Sequence, residues 1–558
     1  MPLALETLFV QSDADEASLR ASVTEALRGL GREIAGGRED WRIGNYVRPV
    51  PRRSRGGLEV WPPSTDAVPP PAAWSLAHAL QHAIADVHVE PTFAGDVDPR
   101  PATAPTRESA VEAATAPPSD ERWHFARIRL QPEHRALGAG VRIGHPDTGY
   151  TKHDEIWAAI DVEHAANLMD PGQSPIDPLR SGPVFNPGHG TATASMMVAR
   201  DGVRVPDGPR QIDLGGITPR SSVVPIRVTD SVVILGWQRR LAEAIEHAVD
   251  AGCRVISMSL GGIGGSRLDR AIEYAESKGT ILIAAAGNKV GFVTAPATHP
   301  LVVACAATDV NDRPWSGSSH GPAVSISAPG HQVWVADWSD QHIAIGRTGS
   351  GTSYATAIVA SAAALWCGRY ATDLAARAPS TVPGLFRTAL ARSAQKLASL
   401  PETEYGAGLL DVTKLLETPP GSAVLAESVS ELPTARSSAS ISFAALVGAS
   451  RSEFPASAAL DPTSLAELVF HLTVDPALRA AWKSGLRITP TGSPVLAREL
   501  RSAAAPVSLD MPPTTVPPVP AGTPSARIAS TSPSLSSASE VRIRIDLEIC
   551  IRVESGGR

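Results

Sequence analysis

The sequence is short of cysteine, of aromatic residues and of long apolar runs. Its four cysteines, Cys253, Cys305, Cys367 and Cys550, form no CxxC pair. A zinc site of the usual spacing is therefore unsupported, and so is a disulfide framework. The first three lie in apolar stretches and read as buried thiols. No apolar run reaches about 18 residues, so no membrane-spanning helix is expected. The stretch 355–367 is too short to span and reads as a buried core helix. Basic clusters interleaved with aromatics are missing, and a net charge of −7 over 558 residues is mild. Nucleic acid is not expected as a partner. Residues 1–7 show no basic segment leading into an apolar one. No secretory signal is read there, and cytoplasmic residence is the expectation, with unconventional export as the alternative. His145 and His153 flank Asp147 without metal-ligand spacing and read as polar loop residues. His299, His320, His331 and His342 read as surface or loop histidines. No metal and no cofactor is expected.

What is abundant is proline. The 49 prolines nearly double the usual share of about 5%, and they cluster where the chain divides. At ~150 residues per domain, the length predicts three to four units. Residues 1–94 read as a small α+β unit of order βαββαβ, the split βαβ pattern of ferredoxin-like folds. Strands are expected at 8–10, 41–47, 58–61 and 87–91. Leu19, Val23, Leu27 and Leu30 mark one helix that stops at Gly31, and Leu76, Leu80 and Ile84 mark a second. Residues 95–121 form a Pro/Ala/Thr-rich linker expected to be open to proteolysis. From 122 to 417 strand-like and helix-like segments alternate, which implies a doubly wound, mostly parallel sheet covered on both faces. In such sheets sites form beyond the carboxyl ends of the strands. Residues 418–558 turn to Ser, Ala and Pro. Within them Asp461-Pro462 and Asp475-Pro476 look like the starts of two short helices, a hairpin over 461–484. It reads as an appendage packed on the rest, or alternatively as a cleavable or docking module. Residues 541–553 alternate without a break and predict a long amphipathic strand that must pair.

Three short segments carry reactive side chains beside glycine or small residues. They are Asp147-Thr148-Gly149, His189-Gly190-Thr191 and Gly351-Thr352-Ser353-Tyr354-Ala355-Thr356. Each alone is commonplace. Together they supply an orienting carboxylate, a general base and a nucleophile. Serine is a poor nucleophile at neutral pH and needs a base in hydrogen-bond reach, itself held by an anion. Ser353 opens a helix-like segment, whose N-terminal field favours negative charge developing nearby. Ala285-Ala286-Gly287-Asn288 ends a strand with an amide donor. Asn288 and the backbone N–H of Ser353 can both donate to an oxyanion.

These segments resemble the subtilisin-like serine proteases (subtilases, peptidase S8 family). The resemblance runs over residues 122–417 and includes Gly215-Gly216-Ile217-Thr218-Pro219 and Tyr405-Gly406-Ala407-Gly408-Leu409-Leu410-Asp411. It implies a seven-stranded subtilisin-like sheet and a serine endopeptidase with Asp147, His189 and Ser353 as triad and Asn288 as oxyanion donor. It places an extended peptide substrate on Ser259, Leu260 and Gly261, and beside Ala286, Gly287 and Thr294. No carboxylate lies near Thr294, so an uncharged or apolar residue is expected before the scissile bond. Residues 1–94 resemble the inhibitory propeptides of the family, with 87–93 as their closing strand. The implied partners are a polypeptide substrate and this intramolecular inhibitory domain. Ala192, Pro146 and Ala357 depart from the family's usual residues, and Ile156 stands where a calcium-binding Asp would be expected. The alternative function is a catalytically silent subtilase-like scaffold acting through its C-terminal extension.

Overall fold

Residues 8–10 leave water completely, and the first sheet grows around them. The structure, a computed structural model, describes residues 3–33, 41–47, 56–62, 68–95, 117–180, 182, 185–234, 236, 238–338, 344–421, 438–447, 460–484, 488–489, 492–503 and 552–553. Strand β1 (Ala4–Ser12) runs antiparallel between β3 (Gly56–Trp61) and β4 (Val87–Ala94), and β2 (Arg42–Val47) pairs the outer edge of β3. The order β2-β3-β1-β4 with α1 (Glu16–Glu33) and α2 (Pro70–Ala83) is the expected βαββαβ arrangement. Helix α1 does not stop at Gly31 but continues to Glu33. Leu19, Val23 and Leu27 of α1 join Trp74, Leu76, Ala77 and Leu80 of α2 over the sheet. Of the linker 95–121, residues 96–116 lie outside the described residues.

The second sheet has seven parallel strands, in the order β13 (Ile326–Pro329), β12 (Val303–Thr308), β11 (Ile281–Ala285), β9 (Val255–Met258), β5 (Arg142–Asp147), β7 (Ser222–Arg227) and β6 (Ala166–Asn167). Successive residues of a strand point to opposite faces, and here both faces are apolar. Ile143, Val223, Val255, Ile283 and Val303 pack toward α3 (His189–Val198) and α6 (Thr352–Arg369). Val224, Ile256, Leu282 and Ala304 pack toward α4 (Gln238–Asp250) and α5 (Ser266–Lys278). Residues 352–367 of α6 are all buried, so the small-residue stretch is a core helix, as expected. Beyond the sheet lie two short paired segments, β8 (Val233–Ile234) and β10 (Gly261–Gly262), and the hairpin β14 (Val333–Trp338) with β15 (Ala344–Gly349).

The N-terminal sheet docks on α4 and α5 through its polar face. Glu6 pairs with Arg239 at 2.8 Å, and Glu59 pairs with Arg267 at 2.8 Å with both side chains nearly inaccessible. Glu90 accepts the Ser266 N–H at 2.7 Å, at the first residue of α5. Burial alone would raise the Glu90 carboxyl, but His88 and that N–H hold it below the ordinary carboxylate value.

The C-terminal region contributes α7 (Ser438–Val447), α8 (Pro462–Val474), α9 (Pro476–Lys483) and α10 (Pro494–Ala503). Asp461 accepts from the N–H groups of Thr463 and Ser464, and Asp475 from those of Ala477 and Leu478. Both Asp-Pro pairs are therefore the helix starts that the sequence predicts. Of the strand expected at 541–553, only Arg552–Val553 is described, paired with Ile488–Thr489; residues 541–551 lie outside the described residues. Cys253, Cys305 and Cys367 are buried and free.

Ile156 is fully buried in the apolar core and offers no ligand to a cation at the position where the family resemblance looks for one. Its neighbour Glu155 is also fully buried. Burial, reinforced by the charge of Asp213, pushes its carboxyl up to about 8. A folded-state value above the ordinary 4.5 means that folding takes up a proton, so stability falls as pH rises between these values. Glu155→Gln cannot ionise. In thermal unfolding it should raise Tm relative to the parent at pH 8, with the gain shrinking toward pH 5; an equal gain at both would refute a buried carboxyl that titrates.

Candidate functional site

Asp147 is the last residue of β5, not a residue beyond it, and His189 is the first of α3. The strand end and helix start meet at a hydrogen bond of 2.8 Å between Asp147 Oδ1 and His189 Nδ1. Asp147 is 1% exposed. Burial would raise its pKa, but His189 beside it, His145 and the Thr148 N–H together hold the carboxyl below the ordinary range. It is therefore ionised at neutral pH and fixes the imidazole with Nδ1 facing the carboxylate.

His145 does not lie in a loop. It sits on β5 at 1% exposure, with Nε2 3.6 Å from Asp147 Oδ2 and 3.0 Å from Thr193 Oγ1. Thr193 in turn donates to the His189 carbonyl at 3.0 Å. Burial, only partly offset by Asp147, lowers His145 from the ordinary histidine value, so the ring is neutral at neutral pH. His153 is also fully buried, facing Trp338 edge-on. His331 contacts Ser350 Oγ at 2.8 Å, and His342 lies outside the described residues.

Ser353 is the second residue of α6, after Gly351 and Thr352. Its hydroxyl donates to the Ser259 carbonyl at 3.2 Å, and the Ser259 hydroxyl donates back to the Ser353 carbonyl at 3.0 Å. Asn288, three residues beyond β11, accepts from the Thr352 N–H at 2.9 Å and the Thr352 hydroxyl at 2.8 Å. With its oxygen tied down, the Asn288 NH₂ is the end left to donate. His189, Asn288 and Ser353 line one cleft of about 710 Å³, which Asp337, Arg347 and Tyr354 also line. Arg347 pairs with Asp337 there.

The residues expected to hold substrate form a frame beside this cleft. Gly261 donates to the Val232 carbonyl at 2.9 Å, and Gly262 to Ala295 at 2.8 Å. The Leu260 side chain is in the core, so only its backbone is free to meet a peptide. Thr294 bonds Ala286 through its N–H at 3.0 Å. A Cβ placed on Gly261 would collide with the Thr294 hydroxyl, and one on Gly287 would meet it at 3.3 Å. Thr294 thus fills space between the two glycine-bearing segments.

Asp177 was not legible as a site residue. It accepts from the Thr148 hydroxyl at 2.6 Å, the Leu179 N–H at 2.7 Å and the Gly188 N–H at 2.8 Å. It therefore ties the residue after Asp147 to the residue before His189. No motif marks it; an Asp twelve positions before a His in a loop resembles any turn residue.

With this geometry in place, comparison with known proteins gives one answer. The subtilase family profile matches residues 138–408. Thermitase of Thermoactinomyces vulgaris is 32% identical over 251 residues, 44% of this chain and 82% of the relative. Subtilisin DY of Bacillus licheniformis is 31% identical over 287 residues, 49% of this chain and 90% of the relative. Among solved structures, fervidolysin of Fervidobacterium pennivorans, a keratinolytic enzyme related to subtilisin, aligns with a TM-score of 0.52 at 19% identity, covering 75% of this chain and 62% of its own; that likeness speaks to the fold. These relatives overturn the cytoplasmic residence expected from residues 1–7, because subtilases of this kind are typically secreted proteases. The compartment leaves no mark on the residues that fold, which is why the sequence reading went astray. Among the described residues no helix is long and apolar enough to cross a membrane.

Removing Asp177 would leave two buried donors, the Thr148 hydroxyl and the Gly188 N–H, and the half-buried Leu179 N–H short of this acceptor; each buried one left unmade costs roughly 1–3 kcal/mol. Asp177→Ala in a Ser353→Ala background should lower unfolding stability by at least about 2 kcal/mol in denaturant titration. The same change in the active chain should lower kcat by misplacing His189. Wild-type values for both would remove Asp177 from the site.

Proposed function

We propose, for a chain that belongs to the subtilase family and is a subtilisin-like serine endopeptidase, that Asp147, His189 and Ser353 are its catalytic triad and Asn288 its oxyanion donor. The observation that carries this reading is the buried Asp147–His189 bond of 2.8 Å at the cleft that His189, Ser353 and Asn288 line together. Ser353 Oγ exchanges the Ser259 carbonyl for His189 Nε2 by turning about its Cα–Cβ bond. It then attacks the scissile carbonyl while His189 takes its proton, and Asp147 stabilises the imidazolium. Charge on the carbonyl oxygen is met by the Asn288 amide and the Ser353 N–H, at the positive end of α6. His189 returns the proton to the leaving amine, and water repeats the sequence on the acyl-enzyme.

The acyl half of the substrate lies along 259–261 and beside Ala286 and Gly287, and Thr294 limits the pocket for the residue before the scissile bond. The N-terminal unit inhibits from the same side. Its last strand delivers Phe93 and Gly95 against Gly236, where a Cβ would meet the Gly95 carbonyl at 2.7 Å and the Phe93 carbonyl at 2.9 Å. Gly236 adjoins β8, the partner of β10. Gly95, the residue after β4, thus lies beside the strand pair expected to hold substrate, which supports a self-inhibited precursor cut within 95–121.

Ser353→Ala should abolish both peptide hydrolysis and any linker cleavage, read by peptide assay and mass spectrometry. Labelling of Ser353 by a fluorophosphonate probe separates an enzyme from a silent scaffold. Self-processing by the purified variant would defeat the assignment. Thr294→Gly should raise kcat/KM for peptides with Phe or Leu before the scissile bond, relative to Ala, by about tenfold. An unchanged ratio would place the pocket elsewhere.

A further inference from the structure

The peptidase does not hold the N-terminal unit alone. Helix α8 stands against that unit along a buried seam. Glu467 contacts His78 Nε2 at 2.8 Å, with the side chains 0% and 4% exposed. The same carboxylate accepts from the Ser493 N–H at 2.5 Å and the Ser493 hydroxyl at 2.6 Å. Thr463 Oγ1 reaches the Val89 carbonyl and His88 Nδ1, both at 3.1 Å. Gln81 donates to Asp461 at 3.1 Å. Phe470 places its ring 4.8 Å from that of Phe93 and 6.0 Å from that of Trp74, and with Val474 it completes the N-terminal unit's own apolar cluster.

The other side of this helical unit grips the peptidase. Leu465, Leu468 and Leu472 share a cluster with Phe292, and the Arg479 guanidinium lies 4.7 Å over the Phe292 ring. Phe292 is four residues beyond Asn288. One unit therefore touches both β4 of the N-terminal unit and the loop that follows Asn288.

We infer that the helices of 438–503 form a clamp that keeps the N-terminal unit seated after the linker is cut, so that activation requires the clamp to yield as well. This rests on the reading of the N-terminal unit as an inhibitor. Once the chain is cut, only non-covalent contacts retain residues 3–95. On the peptidase side the hold is largely polar, through Arg239, Arg267 and the Ser266 N–H, with Ile263 and the half-buried Val233 as apolar contributions. Breaking one partner of such a pair is costly, but the pair itself adds little net attraction over water. The apolar gain at this seam comes from Phe470 and Val474, and it scales with area removed from water. Phe470 also bears on Phe93, two residues before Gly95, so loosening α8 loosens the segment that meets Gly236.

The test uses the full chain with two separate readouts. In a Ser353→Ala background, trypsin cuts the linker after Arg107, and size-exclusion chromatography reads whether the N-terminal fragment co-elutes. In the active chain, the rate of Ser353 labelling by a fluorophosphonate probe reads access to the cleft. The parent should retain the fragment and label slowly. Phe470→Ala should shed it and label at least about tenfold faster. Thr463→Val keeps shape while losing the hydroxyl contacts and should fall between; it guards against misfolding of the first variant. Retention of the fragment by both variants, with native circular dichroism, would overturn the clamp. Absence of labelling in every form would instead overturn the assignment of Ser353, while the retention readout still decides the clamp.

Discussion

Asp147 holds a negative charge where water does not reach, and the arrangement around it follows from compensating that charge. A carboxylate moved into the interior costs several kcal/mol unless it is paired and hydrogen-bonded. Here the Thr148 N–H lies 2.7 Å from one oxygen, shared with His189, while Thr193 and His145 approach the other. Those partners come from the end of β5 and the first turn of α3, so satisfying the charge fixes how strand and helix meet. The approach is close: a side chain at Gly190 would occupy the place of the Gly149 carbonyl. The glycine after the histidine is thus a steric requirement of the same meeting.

What the sequence revealed and what it concealed divide along this line. Asp147, His189, Ser353 and Asn288 were legible because the chemistry demands those residue types in small-residue surroundings. The parallel sheet was legible because its strands are apolar on both faces, as in 281–285. His145 was not, since a histidine beside the reactive Asp reads as polar and solvent-facing until the strand is seen to include Asp147. Asp177 was hidden for the opposite reason: its work is done entirely through backbone donors at Leu179 and Gly188 and one hydroxyl, none of which leaves a pattern. Gly31 was misread as a stop because a glycine within a helix is tolerated at a cost of about 1 kcal/mol, which the packing of Leu19, Val23 and Leu27 can offset.

The C-terminal helices show the same limit at a larger scale. Asp461 and Asp475 announced their helix starts locally, because a cap and a proline act within one turn. Nothing local could say what those helices pack against. Glu467 and His78 are separated by almost four hundred positions, and neither carries a motif. A buried Glu in the middle of a helix is nevertheless a physical clue: burial would raise its pKa, yet His471, His78 and Ser493 hold it down to about 2. A charge so stabilised needs its partners in fixed places, so α8 and α2 can meet in few other ways.

The two kinds of contact around the N-terminal unit do different work. Ionic contacts such as Glu59–Arg267 are directional and penalise any misplaced sheet, because an unpaired buried charge is far worse than a lost apolar contact. They set where the unit sits on α4 and α5. Aromatic contacts such as Phe93–Phe470 contribute chiefly area removed from water. In the proposed clamp they determine how long the unit stays once seated. If the N-terminal unit inhibits as proposed, a substrate strand arriving at β10 would have to compete with both, and it would bring no counterpart to Phe470. Occupancy of the cleft would then be governed by residues far along the chain that never touch the scissile bond.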